Sequence, residues 1–280
     1  MAYRRILTVQ DISCLGQCSM TVALPILSAC GHEVCILPTK VLSTHTGGFQ
    51  NPYGIDLTED IPAIQAHWQR EGIQFDVIYT GYLGSRQAIF HVSRLVDTML
   101  TPGGMLIVDP AMADHGKLYK GFDEDYARDM AALCAKADVI LPNMTEAAML
   151  AGIGYREDPD REYILKLLDK LGNRNVVLTG AGTEAETTGV AIKSVGGVSF
   201  YRHKKITQSY HGTGDVFAAA LTGAVASGKD LAVAAEVAAE FTLKAIENTH
   251  RAPAHWYGVK FETALPELIE LLHNNNAADD

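Results

Sequence analysis

The chain has 280 residues, 48% of them hydrophobic and 20% charged, which is the composition of a globular protein large enough to fold without disulfides. Its net charge of -10 argues against a DNA- or RNA-binding protein, because such proteins present a basic surface. Neither a signal-peptide core nor a run of about 18 apolar residues occurs, so we expect no membrane span and a cytoplasmic location.

Short apolar runs alternate with longer helical segments along the first two thirds of the chain. This alternation is typical of βαβ units and predicts a mostly parallel sheet covered by helices on both faces. The predicted strands are Ile6–Val9, Val34–Leu37, Val77–Thr80, Met105–Val108, Val139–Leu141 and Val176–Thr179. The helices expected between them cover about residues 19–30, 60–71, 86–100, 124–136 and 160–171.

The last third of the chain departs from this alternation. Two β-like runs, Gly189–Lys193 and Val198–His203, lie close together and predict a hairpin or an edge pair. Three helices are expected after them, at about 214–227, 230–247 and 262–272. Because no repeat, low-complexity block or linker occurs, we expect residues 1–280 to form one domain around a sheet of about eight or more strands.

Two segments differ from their surroundings. Residues 38–55 are polar and carry glycines between two structured regions, so they predict a substrate flap or, as the alternative, an ordinary surface loop. Residues 274–280 are polar and are predicted to form a flexible tail.

Polar or glycine-rich residues follow five of the predicted strands. These residues are Gln10–Asp11, Gly81–Ser85, Asp109–Gly116, Pro142–Glu146 and Thr179–Gly182. The carboxyl ends of parallel strands lie at one edge of a sheet, and open α/β sheets bind their ligands there. The sequence therefore predicts a binding site at this edge.

The most specific local element is Gly212-Thr213-Gly214-Asp215, which opens an alanine-rich helix. Glycines let the backbone approach a ligand closely, and the free N–H groups of a helix start suit a phosphate or an oxyanion. Taken alone, Asp215 is equally consistent with a simple helix cap. No Walker A sequence occurs, so a phosphate site has to be built without one.

This Gly-Thr-Gly-Asp element, placed in the last quarter of the chain, resembles the signature of the ribokinase-like superfamily. Further runs resemble its pyridoxal kinase branch, in order and across about residues 6–221. They are Ser43 with His45–Gly47, Gly81–Ser85, Asp109–Pro110 with Asp114–Gly116, and Pro142–Asn143 with Glu146. The resemblance implies an α/β fold of the ribokinase-like type, a three-layer α/β/α sandwich with a mostly parallel central sheet.

The resemblance also implies a catalytic centre. Asp215 matches the base that takes the proton of a substrate hydroxymethyl group, and the backbone N–H groups of Gly212, Thr213 and Gly214 match an anion hole for the γ-phosphate of ATP. Phosphoryl transfer depends mainly on positioning and charge stabilisation, which such a turn can supply.

The same resemblance implies a binding site for the nucleotide and its metal ion. The nucleotide-binding positions are Asp109, Asp114, Asn143, Thr179 and Gly180. Asp109 and Glu146 match residues that organise Mg²⁺, in part through water, and oxygen ligands suit this ion. A K⁺ requirement is a further expectation from the family. The alternative for Asn143 and Glu146 is a pair that caps a helix start.

The positions that match the vitamin site are Asp11, Ser13, His45, Thr46 and Tyr82. Tyr82 can stack on a pyridine ring, and a buried core tyrosine is the alternative. Many pyridoxal kinases carry serine where this chain has Asp11. A carboxylate there could pair with a protonated ring nitrogen or with an amine, so the preferred vitamer stays open.

The function implied by the resemblance is ATP-dependent phosphorylation of the 5′-hydroxymethyl group of pyridoxal, pyridoxine or pyridoxamine. Small molecules, and neither nucleic acid nor membrane, are the expected partners, and a homodimer is expected from the resemblance alone. The nearest alternative is a hydroxymethylpyrimidine kinase of thiamine synthesis. A second alternative, from another class, is a non-catalytic B6-binding protein on the same fold.

Overall fold

The computed structural model describes residues 3–172, 175–182, 187–204, 206, 210–250, 252 and 254–274. The tail predicted at 274–280 lies outside these residues from position 275 onward.

Strands and helices alternate in the described chain as the hydrophobic pattern predicts. The strands are β1 (Arg5–Ser13), β2 (Glu33–Leu42), β3 (Gly54–Asp56), β4 (Phe75–Thr80), β5 (Leu100–Val108), β6 (Ala113–Asp114), β7 (Lys117–Leu118), β8 (Val139–Ile140), β9 (Asn175–Thr179), β10 (Thr187–Ser194) and β11 (Gly197–Lys204). The helices are α1 (Met20–Ala29), α2 (Ile61–Arg70), α3 (Arg86–Met99), α4 (Glu124–Lys136), α5 (Met144–Ala151), α6 (Arg161–Lys170), α7 (Thr213–Ala226), α8 (Leu231–His250) and α9 (Leu265–Asn274).

Among the described residues, nine strands form one sheet in the order β11-β10-β9-β8-β5-β4-β1-β2-β3. The six strands from β9 to β2 in this order run parallel to one another. The hairpin of β10 and β11 closes one edge of the sheet and β3 closes the other, both in antiparallel pairing. The predicted hairpin and the mostly parallel sheet are therefore confirmed.

Both faces of the sheet are buried, as a central parallel sheet requires. In β1, Ile6 packs into a core with residues of α1, α7 and α8, whereas Leu7 and Val9 pack into a second core with residues of α3 and α4. Helix α9 joins the first core, and α5 and α6 join the second. The structure is thus the predicted three-layer α/β/α sandwich.

Side chains fix where several helices begin. Ser85, Asp123 and Asp160 each accept a hydrogen bond from a backbone N–H of the first turn, and these bonds start α3, α4 and α6. Such caps are worth about 1 kcal/mol each. The helix boundaries therefore follow from local chemistry that can be read in the sequence.

Several elements differ from the sequence prediction, among them the short strands β6 and β7, which pair with each other in a separate two-stranded sheet. Strand β1 continues past Val9 to Ser13, so Asp11 lies within the strand and not after it; a register shift between Gln10 and Ile12 keeps β1 paired with β2. Residues 38–42 and 54–56 of the predicted flap belong to β2 and β3, which leaves 43–53 as the loop. Helix α5 was not among the predicted helices, because it spans only 8 residues.

Candidate active site

A cavity of about 500 Å³ opens at the carboxyl edge of the parallel strands. Nine of the predicted site residues line it: Asp109, Asp114, Asn143, Glu146, Thr179, Gly212, Thr213, Gly214 and Asp215. A larger cavity of about 580 Å³ lies between α3 and α4 and holds none of the predicted residues. The tertiary structure therefore gathers residues that are up to 106 positions apart in the chain, from Asp109 to Asp215, around one space.

The start of α7 forms one wall of this cavity. Gly212 takes a left-handed conformation with φ 78°, and a Cβ atom at this position would clash with the carbonyl oxygen of Gln17, so glycine is required on both counts. The Val216 N–H donates to the Gly212 carbonyl over 3.0 Å. The first N–H groups of a helix have no acceptor within the helix, so those of Thr213 and Gly214 can donate to a ligand. An anion at this turn would meet these donors and the positive end of the helix dipole.

Asp215 lies in the first turn of α7 and is half-buried. Burial raises the pKa of its carboxyl to about 7, and the negative charge of Asp11 adds to this rise. The backbone N–H groups of Ser19 and of Asp215 itself oppose it by favouring the ionised form. A carboxylate with a pKa near the working pH is well matched to general base catalysis.

Asp109 and Glu146 bring two more carboxylates to the same cavity. Burial, Glu146 and Asp215 together raise the pKa of Asp109 well above its usual range. Burial also raises the pKa of Glu146 to about 7, although three backbone N–H groups favour its ionised form. The carboxylates at this edge thus repel one another when ionised. A bound cation would reduce this repulsion.

Asn143 and Glu146 cap helix α5. The Asn143 side chain accepts from the N–H groups of Thr145 and Glu146 over 2.9 and 3.0 Å, and Glu146 accepts from the Asn143 N–H over 2.9 Å. The other oxygen of Glu146 accepts from the N–H groups of Met112 and Ala113. The capping interpretation is therefore confirmed, and the same two residues anchor the loop after β5 to the cavity wall.

The donor set fits a magnesium ion held largely by water and phosphate. Asp109 uses one oxygen to accept from the Ala111 N–H over 3.1 Å. In the part of the chain that the structure describes, no group of three or more His, Cys, Asp and Glu residues is arranged to hold a metal ion alone. Mg²⁺ commonly binds through one or two carboxylates together with substrate phosphates and waters, so two carboxylates are sufficient.

Asp11, Ser13 and Tyr82 are not part of the cavity lining, although Asp11 interacts electrostatically with Asp215. Asp11 and Ser13 are 3% and 1% exposed, and the Ser13 hydroxyl donates to Asp11 over 3.2 Å. Burial raises the pKa of Asp11. Burial also raises the pKa of Tyr82, and the Asp11 charge contributes to that rise. The Tyr82 ring stacks on Phe122 with centroids 5.5 Å apart. These residues form a compact polar and aromatic group next to the carboxylate.

His45 and Thr46 lie in the loop 43–53. The Gly47 N–H donates to His45 Nδ1 over 2.9 Å, so His45 Nε2 carries the proton and donates to the Tyr257 carbonyl over 3.2 Å. The ring centroid of His45 is 5.1 Å from that of His211, which lines the cavity. His45 therefore tethers the loop beside the site, whereas Thr46 is exposed.

Gly180 is also exposed; it has φ 70° and lies outside the cavity lining. The nucleotide-binding role of Gly180 and the substrate-binding role of Thr46, like the roles of the other predicted site residues, stay predictions.

Several further cavity residues were not assigned a role from the sequence. They are Ala111, His115, Tyr119, Leu141, Tyr210, His211, Phe217 and Ala218. His211 immediately precedes the glycine turn and Phe217 follows it, so their proximity to the motif was a usable signal. Tyr119 lies between β7 and α4 and carries no motif, so only the folded chain could reveal it.

A three-layer sandwich with a Gly-Thr-Gly-Asp turn at the carboxyl edge of its strands defines the class of ribokinase-like small-molecule kinases. A family model described as phosphomethylpyrimidine kinase matches residues 27–259, and the chain belongs to this family.

Relatives of known structure extend this assignment. The crystal structure of pyridoxal kinase from Lactobacillus plantarum superposes with a TM-score of 0.89 at 35% identity, and the match covers 96% of this chain and 98% of that one. A protein from Bacteroides thetaiotaomicron assigned as a phosphomethylpyrimidine kinase, crystallised with pyridoxal, superposes with a TM-score of 0.86 at 35% identity, covering 95% and 96% of the two chains.

At the sequence level, the hydroxymethylpyrimidine/phosphomethylpyrimidine kinase of Bacillus subtilis is 34% identical over 182 residues, which are 64% of this chain and 66% of that protein. The relatives therefore support kinase activity and divide between two kinds of acceptor. In the described part of the chain, no helix combines the length and apolar character needed to cross a bilayer.

Proposed function

We propose that this chain transfers the γ-phosphoryl group of ATP to the 5′-hydroxymethyl group of a B6 vitamer: pyridoxal, pyridoxine or pyridoxamine. The observation that carries the proposal is that Asp215 belongs to the lining of the cavity that also holds the glycine turn and the carboxylates Asp109 and Glu146. Asp215 also interacts electrostatically with Asp11, which is not part of that lining.

In the proposed reaction, the ionised Asp215 accepts the proton of the acceptor hydroxyl as that oxygen attacks the γ-phosphorus. The bond from the γ-phosphorus to the bridging oxygen of ADP breaks, and the products are ADP and the 5′-phosphate. The N–H groups of Thr213 and Gly214 lie where they could stabilise charge on the moving phosphoryl oxygens. Little covalent chemistry is required of the protein itself.

Mg²⁺ is the proposed cofactor, with Asp109 and Glu146 as the residues that would hold it, in part through water. When bound with ATP, the ion would neutralise charge on the phosphate oxygens. The mutual repulsion of the carboxylates at this edge supports a cation there. A K⁺ requirement and a homodimeric assembly are carried forward as proposals that ion-substitution assays and sedimentation would test.

The surroundings of Asp11 and Tyr82 favour an acceptor whose ring carries a positive charge. Asp11 is 3% exposed, and the charge of Lys40 favours its ionised form less than burial opposes it, so its pKa is raised. A buried carboxylate gains most from a partner that enters with the substrate, such as a protonated ring nitrogen or an amine. Tyr82, stacked on Phe122, offers a flat face for such a ring.

A hydroxymethylpyrimidine kinase is the second candidate, because the Bacillus subtilis relative is named a hydroxymethylpyrimidine/phosphomethylpyrimidine kinase and the matching family model is described as phosphomethylpyrimidine kinase. Its acceptor also presents a hydroxymethyl group on an aromatic nitrogen ring, so the same base could serve. The distinguishing experiment is release of ADP measured side by side with pyridoxal, pyridoxamine and hydroxymethylpyrimidine at equal concentrations. Faster turnover of the pyrimidine would reverse the order, and binding of pyridoxal without ADP release would indicate a non-catalytic binder.

A further inference from the structure

The segment 255–258, which we call the strap, lies between α8 and α9 and contacts the loop 43–53. Trp256 of the strap packs on Phe49 of the loop, with the ring centroids 4.8 Å apart. The same indole covers Gly48, where a Cβ atom would lie 2.7 Å from the ring. The loop backbone therefore touches the indole directly, and a side chain at this position would push the ring away.

A hydrogen bond also joins the strap to the loop. The Tyr257 carbonyl accepts from His45 Nε2 over 3.2 Å and from the Gln17 N–H over 3.4 Å. His45 is 6% exposed, so its ring N–H would be costly to leave without an acceptor. One carbonyl of the strap thus holds both the loop and the segment that precedes α1.

Gln17 fixes the position of the strap. Its side-chain oxygen accepts from His255 Nε2 and its side-chain nitrogen donates to Glu262, each over 2.6 Å. A Cβ atom at Gly258 would come within 2.6 Å of the Gln17 side chain, so the two chain segments are in close contact. The Gln17 carbonyl in turn touches Gly212 of the glycine turn. The strap and the glycine turn are therefore anchored to the same residue.

The loop meets the cavity wall as well. The His45 ring lies 5.1 Å, centroid to centroid, from that of His211, which lines the cavity and precedes the glycine turn. Gly47 lies against both rings, because a Cβ atom there would be 2.7 Å from His211 and 3.0 Å from His45. The loop is thus in contact with the strap and with the cavity wall at once.

Folding alone gives little reason for an indole at position 256. Trp256 is 49% exposed and belongs to neither of the two hydrophobic cores. A large apolar ring that keeps half of its surface in water gains only part of the free energy that full burial would provide. Its packing contacts with Phe49 and Gly48 are with the loop beside the cavity.

We infer that Trp256 is a positioning residue that holds the loop 43–53 against the cavity wall at His211 during phosphoryl transfer. The inference rests on the proposed function of the cavity. A loop held there orders the acceptor and keeps water from the γ-phosphorus. When the loop is released, a water molecule can attack in place of the acceptor hydroxyl, and the products are then ADP and inorganic phosphate.

The test compares Trp256→Ala with Trp256→Phe. The first variant removes the ring that packs on the loop, and the second keeps a smaller ring in its place. Phe90→Ala is the matched control, because Phe90 is 56% exposed and its ring contacts that of His91 on α3, with centroids 5.6 Å apart. ADP release is measured with MgATP alone and then with increasing pyridoxal or pyridoxamine, and thermal unfolding is followed for each variant.

We expect Trp256→Ala to raise the KM of the acceptor about tenfold and to leave the KM of ATP within about twofold of wild type, because the acceptor is less well ordered. ADP release without acceptor should rise about threefold or more, because water reaches the phosphoryl group. Trp256→Phe should restore most of both properties, and Phe90→Ala should match wild type. The melting temperatures of Trp256→Ala and Phe90→Ala should fall by similar amounts, since each loses one surface ring contact.

A Trp256→Ala enzyme with wild-type acceptor KM and wild-type ADP release in MgATP alone would overturn the inference. So would kinetic changes that Phe90→Ala shares, or a Trp256→Phe variant as impaired as Trp256→Ala, since the ring contact would then not be their cause. If wild type phosphorylates the pyrimidine and no B6 vitamer, the proposed function fails, but the measurement in MgATP alone and the same comparison with the pyrimidine still test Trp256.

Discussion

Asp11 and Asp215 lie close enough for the charge of Asp11 to raise the pKa of Asp215, although they are more than 200 positions apart in the chain. Asp11 lies on the bulged end of β1 and Asp215 on the first turn of α7. Asp11 is buried and Asp215 half-buried, so water screens their charges only in part. This pairing links the proposed acceptor region to the proposed base and underlies several of the predictions below.

Replacing Asp215 with Asn should lower kcat by about 10² or more, because general base catalysis contributes roughly 10²–10⁴ to such reactions. Steady-state ADP release with saturating ATP and acceptor measures the effect. Asp169→Asn, at an exposed position near the end of α6, is the matched control and should leave kcat unchanged. A near-normal rate for Asp215→Asn would remove the residue from its proposed role.

The rate should rise with pH through about 7, because Asp215 acts as a base only when it is ionised and its pKa is raised to about 7. A profile of kcat/KM against pH tests this expectation. Below pH 6 the carboxyl is protonated and the rate should fall about tenfold per pH unit. A flat profile between pH 5.5 and 8 would contradict it.

The contribution of Asp215 to the free energy of unfolding should fall as pH rises, whereas the rate should increase. A carboxyl whose pKa is raised in the folded state binds its proton more tightly there, so its contribution to stability is full below pH 4 and is lost as pH rises through about 7. Asp215→Asn should therefore gain about 1–3 kcal/mol over wild type at pH 8, allowing for partial exposure, and little at pH 4. Urea unfolding at both pH values measures it, and an equal effect at both would argue against a raised pKa.

Replacing Asp11 with Ser should alter the acceptor preference more than the KM of ATP. Loss of the carboxylate removes a partner for a positively charged ring or amine, so turnover of pyridoxamine relative to pyridoxal should change several-fold. The substitution should also move the fall of kcat/KM at acid pH to lower pH values, because the Asp11 charge that raises the pKa of Asp215 is gone. Unchanged acceptor ratios would show that Asp11 lies outside the acceptor site.

Asn143→Ala tests whether the cap of α5 also serves the reaction. Loss of a side-chain cap should destabilise the protein by about 0.5–2 kcal/mol. Asp160→Ala is the matched control, since Asp160 caps α6 by accepting from the Tyr163 N–H over 2.7 Å, outside the cavity lining. Both variants should lose similar stability in urea unfolding, but only Asn143→Ala should raise the KM of MgATP. Equal KM values would leave Asn143 with a structural role alone.

Hydrophobic periodicity by itself determined the layers of this protein. Runs such as Val77–Thr80 and Val176–Thr179 are apolar on both faces of the strand, so they predict buried parallel strands wherever they occur. The polar residues that follow the strands and the Gly-Thr-Gly-Asp turn can also be recognised from the local sequence. Nine of the residues named from these features line one cavity.

Only the tertiary structure decided which of these residues meet. The length of β1 depends on its pairing with β2, and that pairing carries Asp11 into the sheet, where burial raises its pKa. The approach of Gln17 to Gly212 depends on how the segment that precedes α1 packs on the start of α7. Local sequence specifies hydrogen-bonding groups and periodicity, whereas distances between remote charges, and hence their pKa values, exist only once the layers are assembled.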